Sequence, residues 1–201
     1  MKNLTIILTM AALIGGITAC DDRLEVTNPN EQTTYDFAKT EADLQQAIIA
    51  CYSRIRLEGT MARVGYTLDA VRGDEVWNAS QQWYLEYDNL NSPGTIAIGD
   101  EWPWRDTYHV VNRTNFVLSK VDGVKMSDDS RNQLKGQALF LRAWAYFELA
   151  TYYQTAPLIT DYAAYSDINT LYAPLNTQDE LFDQIEADLT TAMQLLPSRD
   201  K

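Results

Sequence analysis

Residues 128–153 read DDSRNQLKGQALFLRAWAYFELATYY, the longest uninterrupted helical pattern in the chain. Two acidic residues open the segment, as the positive end of a helix dipole favours, and Pro157 prevents its continuation. Small residues at Gly136, Ala143 and Ala150 leave room for a second helix to approach closely. Apolar side chains recur every three or four residues and predict one buried helical face: Leu134, Ala138, Leu141, Ala145, Leu149 and Tyr152.

Two further segments carry a helix-start signal followed by an apolar stripe, which predicts helices packed on a shared core. Thr40 and Asp43 form a variant of the capping box before a helix that we expect to end at Gly59. Thr177 and Glu180 form a full capping box before the last helix. The first stripe comprises Leu44, Ala47, Ile48, Cys51, Tyr52 and Ile55, and the last comprises Phe182, Ile185, Leu189, Ala192 and Leu196.

Two more helices are predicted, at residues 61–72 and 101–121. Pro103 falls in the first predicted turn of the second of these, where proline is tolerated. Asn115 lies on the apolar face of the same helix, and a buried amide needs hydrogen-bond partners, so we expect a structural role for it. Five helices without a convincing strand pair predict an all-α fold built from helical hairpins.

One spacing points to tetratricopeptide-like helical hairpins. Ala143, Phe147 and Ala150 repeat the small–aromatic–small signature of the second helix of that repeat, although the signature of its first helix is absent before them. Between the second and third predicted helices, residues 72–100 form an irregular, aromatic-rich loop region that Pro93-Gly94 interrupts.

The chain begins with the layout of a secretory signal peptide. One positive charge precedes an apolar run over residues 4–17, which is too short for a permanent membrane span. Residues 17–20, Ile-Thr-Ala-Cys, resemble the bacterial lipobox, in which the thiol of the cysteine receives a diacylglycerol and cleavage makes it the new N-terminus. The alternative is an ordinary buried cysteine. We therefore predict a signal peptide at 1–19, a lipid-anchored extended leader from Cys20 to residue 39, and a helical domain at 40–201.

Charge and cysteine usage limit the possible partners. The formal net charge is −12, and a surface this acidic repels phosphate backbones and anionic headgroups. Nucleic acid is therefore excluded as a partner, and any membrane contact depends on the lipid anchor. With Cys20 lipidated, Cys51 has no partner for an intrachain disulfide. Its place on the apolar stripe of the first helix predicts a buried thiol.

The residues give no sign of a catalytic centre. His109 is the only histidine, so a Ser-His-Asp system or most zinc sites would require it. Because it lies inside a predicted helix, we expect a structural or exposed histidine. Glycoside hydrolysis needs two facing carboxylates, whereas Asp74 and Glu75 are adjacent in sequence, so we expect their side chains to diverge. We predict no catalytic residue, no metal site and no cofactor.

The aromatic-rich segment is the candidate ligand site. It interleaves rings with amides: Trp77, Asn78, Trp83, Tyr84 and Tyr87. Sugars present C–H faces that pack on aromatic rings and hydroxyls that need amide partners, so this mixture suits a glycan. The alternative is that Trp77 and Tyr84 belong to the core. The two interpretations stand about equal, with the core favoured for Trp77.

Two blocks carry a resemblance to a known family. Residues 136–149, GQALFLRAWAYFEL, resemble the helix pattern G-x-A-x-F-L-R-A-x-x-Y-F-x-L, and residues 185–197, IEADLTTAMQLLP, resemble I-x-x-D-L-x-x-A-x-x-x-L-P. Together with Cys20, residues 73–77 and the Tyr-x-x-x-Asn-x-x-Asn pattern at 108–115, they resemble the N-terminal half of SusD/RagB-type lipoproteins. The chain departs from the family pattern at Ala156, where glycine is usual.

The resemblance implies a surface-exposed outer-membrane lipoprotein that delivers an oligosaccharide or another nutrient to a SusC-like TonB-dependent transporter. It implies that residues 40–201 are the N-terminal SusD-like domain of a longer protein. Asp21-Asp22 resembles the acidic signal that sends such lipoproteins to the cell surface. Because family ligand contacts come partly from the aromatic-rich region, Asn78, Trp83 and Tyr84 are the candidate ligand-binding residues. We expect Arg142 to form an internal ion pair instead.

Two other functions remain open. A tetratricopeptide-like lipoprotein without small-molecule binding could dock an outer-membrane partner, and a buried aromatic segment would favour it. A surface glycoside hydrolase would need two carboxylates that face a cleft.

Overall fold

The computed structural model describes residues 37–73, 75–77, 85, 87–89, 97–166 and 172–198, with the backbone alone at 66, 68 and 97–100. Within them lie five α-helices: α1 at Glu41–Ile55, α2 at Val64–Val71, α3 at Ala97–Val121, α4 at Asp128–Tyr153 and α5 at Gln178–Leu195. A π-helical turn at Glu58–Ala62 precedes α2, and a 3-10 turn occupies Tyr162–Ser166. The only strand-like pairing in this part of the chain is an isolated bridge between Ala156 and Asn176. The predicted all-α fold is confirmed.

Both predicted capping boxes are present. Thr40 Oγ1 accepts a hydrogen bond from Asp43 N at 3.2 Å, and Asp43 Oδ2 accepts one from Thr40 N at 2.9 Å. Thr177 and Glu180 exchange the same two bonds at the start of α5, at 3.3 and 2.7 Å. These bonds satisfy backbone N–H groups that have no partner within the helix.

The end predicted for α1 is wrong. The helix stops at Ile55, and Gly59 lies beyond it in the π-helical turn. There the backbone N of Gly59 donates to Asp106 Oδ2 at 2.9 Å, so this glycine serves a close approach of α3 and does not cap α1.

α4 is the central helix. It packs against α3 and α5 and also contacts α1. Its side chains are buried on more than one side, Tyr146 and Leu149 being fully enclosed. α4 and α5 run antiparallel, since Arg142 meets Asp188 while Gly136 meets Leu196 near the other end of the pair. A Cβ on Gly136 would lie 2.8 Å from Leu196 Cγ, which confirms that this position leaves room for a neighbouring helix.

Two details of the predicted helices need correction. α3 begins at Ala97, four residues before the predicted start, so Pro103 falls beyond its first turn. On α5 the buried residues are Leu181, Ile185, Asp188 and Ala192, whereas Phe182 remains 37% exposed. The physical reason is the Asp188–Arg142 ion pair, which turns the aspartate toward α4 and leaves Phe182 at the exposed edge of the interface.

Side chains from α3 and α4 hold the segment that follows α4. Tyr108 Oη donates to the carbonyl oxygen of Pro157 at 2.7 Å, and Asn115 Nδ2 donates to that of Ile159 at 2.7 Å. Tyr146 Oη donates to Ile159 O at 2.8 Å and accepts from Ile159 N at 2.7 Å. The structural role expected of the buried Asn115 is therefore confirmed. None of the helices described is long and apolar enough to cross a membrane.

Candidate functional site

The predicted ligand residues Asn78, Trp83 and Tyr84 and the predicted lipid-attachment residue Cys20 lie outside the described residues. Trp77, which directly precedes Asn78, belongs to the described residues and is 78% exposed. The prediction that favoured the core for Trp77 is therefore wrong. The chain leaves α2 at Val71, and Arg72 and Gly73 already lie at the surface.

Tyr87, not Trp77, anchors the aromatic-rich segment to the core. Its side chain is 7% exposed and packs with Val64 and Val71 of α2. Trp102 of α3 and Tyr152 of α4 pack against the same small cluster. Because Val71 and Tyr87 are both held there, the fold fixes the two ends of the stretch that carries the candidate ligand residues.

The indole ring of Trp102 contacts two arginine side chains. The guanidinium carbon atoms of Arg63 and Arg105 each lie 5.5 Å from the centre of its indole ring. Arg63 also pairs with Glu58 at 2.6 Å, and Arg105 pairs with Asp106 at 3.0 Å. Cation–π contacts at this range orient guanidinium groups. Sequence periodicity did not single out Trp102.

His109 is exposed on α3, which is one of the two placements that the sequence predicted for it. Partial burial lowers its pKa, and the charge of Arg54 lowers it further, so the imidazole is biased toward its neutral form. Among the described residues no group of three His, Cys, Asp or Glu side chains could hold a metal ion.

A second feature that sequence reasoning missed is a pair of carboxylates where α2 meets α4. Tyr152 Oη donates to Asp69 Oδ1 at 2.8 Å. Glu148 lies one helical turn before Tyr152, and burial, together with the negative charge of Asp69, raises its pKa to about 7. A protonated carboxyl near neutral pH can act as an acid, but Asp69 is already engaged by Tyr152. The arrangement is that of a structural hydrogen bond beside a half-buried carboxyl.

The outer face of α4 and α5 carries exposed apolar side chains, and we define it by Phe140, Phe147, Phe182 and Met193. Their exposed fractions are 47%, 47%, 37% and 80%. The rings of Phe147 and Phe182 meet edge to face with centroids 6.4 Å apart. Phe140 lies two turns before Phe147 on the same side of α4. Exposed aromatic rings that lie together suit contact with another protein.

A shallow groove runs between α1 and the beginning of α4. It is lined by three glutamines, one serine and three aliphatic side chains: Gln45, Ile48, Ile49, Ser130, Gln133, Leu134 and Gln137. The lining contains amides that could bond hydroxyl groups, but it has no aromatic ring on which a sugar could stack. The groove is therefore a weaker glycan candidate than the segment after Trp77.

The sequence and the fold of this chain are similar to those of known proteins. A SusD-like family model, described as "Starch-binding associating with outer membrane", matches residues 22–201. SusD-like protein P38 of Formosa agariphila is 24% identical over 95% of this chain, and SusD-like protein P2 of the same organism is 28% identical over 97%. The chain spans 37% and 38% of the lengths of these two relatives.

Two solved structures are similar in fold. A SusD superfamily protein from Bacteroides vulgatus superposes with a TM-score of 0.72 at 28% identity, covering 82% of this chain and 36% of that one. A laminarin-binding SusD-like protein superposes with a TM-score of 0.69 at 24% identity, covering 81% and 36%. Both therefore correspond to this chain over about a third of their own length.

Proposed function

Because the chain belongs to the SusD-like family, which is described as starch-binding in association with the outer membrane, we propose that it captures an oligosaccharide at the cell surface. In this proposal Cys20 carries the lipid anchor and Asp21-Asp22 directs export to the surface. A SusC-like TonB-dependent transporter receives the bound glycan. The protein acts by binding, without turnover of its ligand.

The observation that carries the proposal is the 78% exposure of Trp77. Because most of the ring is exposed, it is available to pack on the C–H face of a sugar. Such packing would also recover part of the stabilisation that burial of a tryptophan provides. Asn78 follows Trp77 directly, and Trp83 and Tyr84 come six and seven residues after Trp77. They supply amide, indole and phenol groups suited to the same ligand.

Calorimetric titration of the complete chain with a panel of neutral oligosaccharides tests the proposal. Laminarin fragments belong in the panel because a structural neighbour binds laminarin. We expect saturable binding that Trp77→Ala and Trp83→Ala each weaken. Tyr172→Ala is the matched control, since Tyr172 is 83% exposed but lies outside the aromatic-rich segment.

Loss of binding in the two tryptophan variants with retention in the control would support the aromatic-rich segment as the site. Equal binding by all four proteins would contradict the aromatic-rich segment as the site, and no binding by a folded sample would contradict glycan capture. Chromatography of the oligosaccharides after prolonged incubation tests the absence of turnover. Accumulation of shorter products would favour the hydrolase instead.

A second candidate function is favoured by the outer face of α4 and α5. Its exposed phenylalanines suit contact with another protein, and a lipoprotein that only docks to the transporter would need no glycan site. Phe147→Ser with Phe182→Ser should abolish co-purification with the transporter while glycan binding persists. If wild type co-purifies with the transporter but binds no glycan, the interaction role is the better description.

A further inference from the structure

Basic side chains form a row where α3 passes the end of α1. Arg105, His109 and Arg113 follow one another at four-residue intervals on α3 and therefore share one face over about 12 Å. Arg54 lies in the last turn of α1. α1 packs directly against α3. In agreement with that packing, the positive charge of Arg54 lowers the pKa of both His109 and Arg113. We call Arg54, Arg105, His109 and Arg113 the basic row.

The charge of this row is largely uncompensated. In the part of the chain that the structure describes, Arg54 and Arg113 form no ion pair. Arg105 pairs with Asp106 at 3.0 Å, but its own side chain remains 46% exposed while that of Asp106 is 6% exposed. The aspartate also accepts a hydrogen bond from Gly59 N at 2.9 Å, so it lies beneath the row and not on its open side. Glu101, one turn before Arg105, marks the end of the row on that side.

This clustering is unexpected in a chain whose net charge is −12. At neutral pH the three arginines carry the charge of the row, because the lowered pKa of His109 biases its imidazole toward the neutral form. Positive charges that lie close together repel one another, which is a cost to the folded protein. Such a cost is offset when an anion occupies the space between the charges. Guanidinium groups suit this task because their planar donors bind a carboxylate or sulfate through two parallel hydrogen bonds.

One end of the basic row is held in place by an aromatic ring. Trp102 lies under the guanidinium of Arg105, and Arg63 approaches the same ring from the chain segment before α2. The contact restricts the arginine before any ligand arrives, which lowers the entropy that binding must lose. The row is therefore partly preorganised.

We propose that the basic row binds the carboxylate or sulfate groups of an acidic oligosaccharide. The inference rests on the proposed function of glycan capture and extends it to a class of ligand. An anionic membrane or a long polyanion would also meet the acidic remainder of the surface, which repels it within a Debye length of about 8–10 Å. A short oligosaccharide is small enough to contact the basic row without also contacting the acidic surface around it.

The test compares matched probes on the complete chain. An oligogalacturonate and a sulfated oligosaccharide provide the anionic groups, and the methyl ester of the same oligogalacturonate provides an uncharged control. The variant Arg54→Gln/Arg113→Gln removes two charges from the row. The variant Lys125→Gln/Lys135→Gln removes two positive charges elsewhere, and circular dichroism verifies that both variants are folded.

We expect at least one anionic probe to bind and the methyl ester to bind at least about tenfold more weakly. Loss of one charge-assisted hydrogen bond accounts for a change of that size. The arginine variant should lose a similar factor, the lysine variant should bind as wild type does, and added salt should weaken binding.

Several outcomes would overturn the inference. Absence of binding by both anionic probes is one, and equal weakening by the two double variants is another. Binding of the methyl ester as tight as that of the acid would overturn the inference yet leave glycan capture standing. Equal binding of a tetraglutamate peptide would show that the row recognises acidic peptides and not saccharides.

Discussion

The guanidinium group of Arg142 donates two parallel hydrogen bonds to the carboxylate of Asp188, with Nε–Oδ2 and Nη2–Oδ1 distances of 2.7 Å each. The two side chains are 8% and 4% exposed, so the pair is buried between α4 and α5. Arg142 Nη1 also donates to Asn115 Oδ1 at 2.9 Å and to Thr160 O at 3.2 Å. One guanidinium thus joins α3, α4, α5 and the segment after α4.

Removing one partner of this pair should destabilise the protein strongly. Asp188→Ala leaves the guanidinium of Arg142 buried without its counter-ion, and loss of one member of a buried pair costs about 3–5 kcal/mol. Chemical denaturation measures the change in the free energy of unfolding. Asp122→Ala is the control, because Asp122 pairs with Lys135 at the surface and such pairs contribute about 0–1 kcal/mol. Similar losses of unfolding free energy in the two variants would contradict a strong contribution from the buried pair.

Most of the helical framework could be predicted from the sequence because its signals are local. The Thr40 and Thr177 capping boxes depend on residues three apart, and the extent of α4 follows from an apolar repeat that Pro157 terminates. The internal ion pair of Arg142 was also predicted. Its partner was not, because a hydrophobic stripe assigns Phe182 and Leu189 to the core and has no place for a buried aspartate.

The candidate site was harder to predict because its residues act over long sequence distances. Trp77 is hydrophobic enough to suggest burial, but Tyr87 occupies the core cluster with Val64 and Val71. The approach of Gly59 to α3 spans 47 positions and leaves no local pattern. The contact of Tyr152 with Asp69 spans 83 positions and is equally hidden. Periodicity identifies faces of helices, whereas such contacts depend on how the faces meet.

Gly59→Ala should destabilise the protein through overpacking. A Cβ at this position would overlap the backbone carbonyl of Trp102 and lie 2.7 Å from Asp106 Oδ2. Since a backbone group cannot rotate away, the π-helical turn and α3 must separate, and we expect a loss of at least about 1–3 kcal/mol in unfolding free energy. At Gly123, the matched control, a Cβ would meet Lys120 O at an ordinary 3.6 Å, so Gly123→Ala should change stability by less. Equal losses of stability in Gly59→Ala and Gly123→Ala would contradict the close approach of Gly59 to α3.

The carboxyl of Glu148 should make stability fall as pH rises. Burial, and secondly the charge of Asp69, raise its pKa to about 7 in the folded protein, above the ordinary value of 4.5. Between these values the unfolded chain loses a proton that the folded chain retains. The contribution of Glu148 is therefore fully present below about pH 4.5 and is lost as pH rises to about 7.

Glu148→Gln isolates this effect because the amide stays neutral. We expect the Tm of the variant relative to wild type to be higher at about pH 8 than at about pH 5. Glu186→Gln, at an exposed position on α5, serves as the control and should give no such trend. A Tm difference between Glu148→Gln and wild type that does not change with pH would show that Glu148 is ionised in the folded protein throughout this range.

Thiol counting tests both the burial of Cys51 and the lipid attachment proposed for Cys20. Cys51 is fully buried, and burial raises its pKa to about 12, so neither access nor thiolate is available in the folded protein. The chain contains two cysteines. A thiol reagent should therefore modify none in the native lipoprotein purified from its membrane. In denaturant it should modify one, because the sulfur of a lipidated Cys20 is a thioether. Rapid modification before unfolding would contradict the burial of Cys51, and two reactive thiols in denaturant would contradict the anchor.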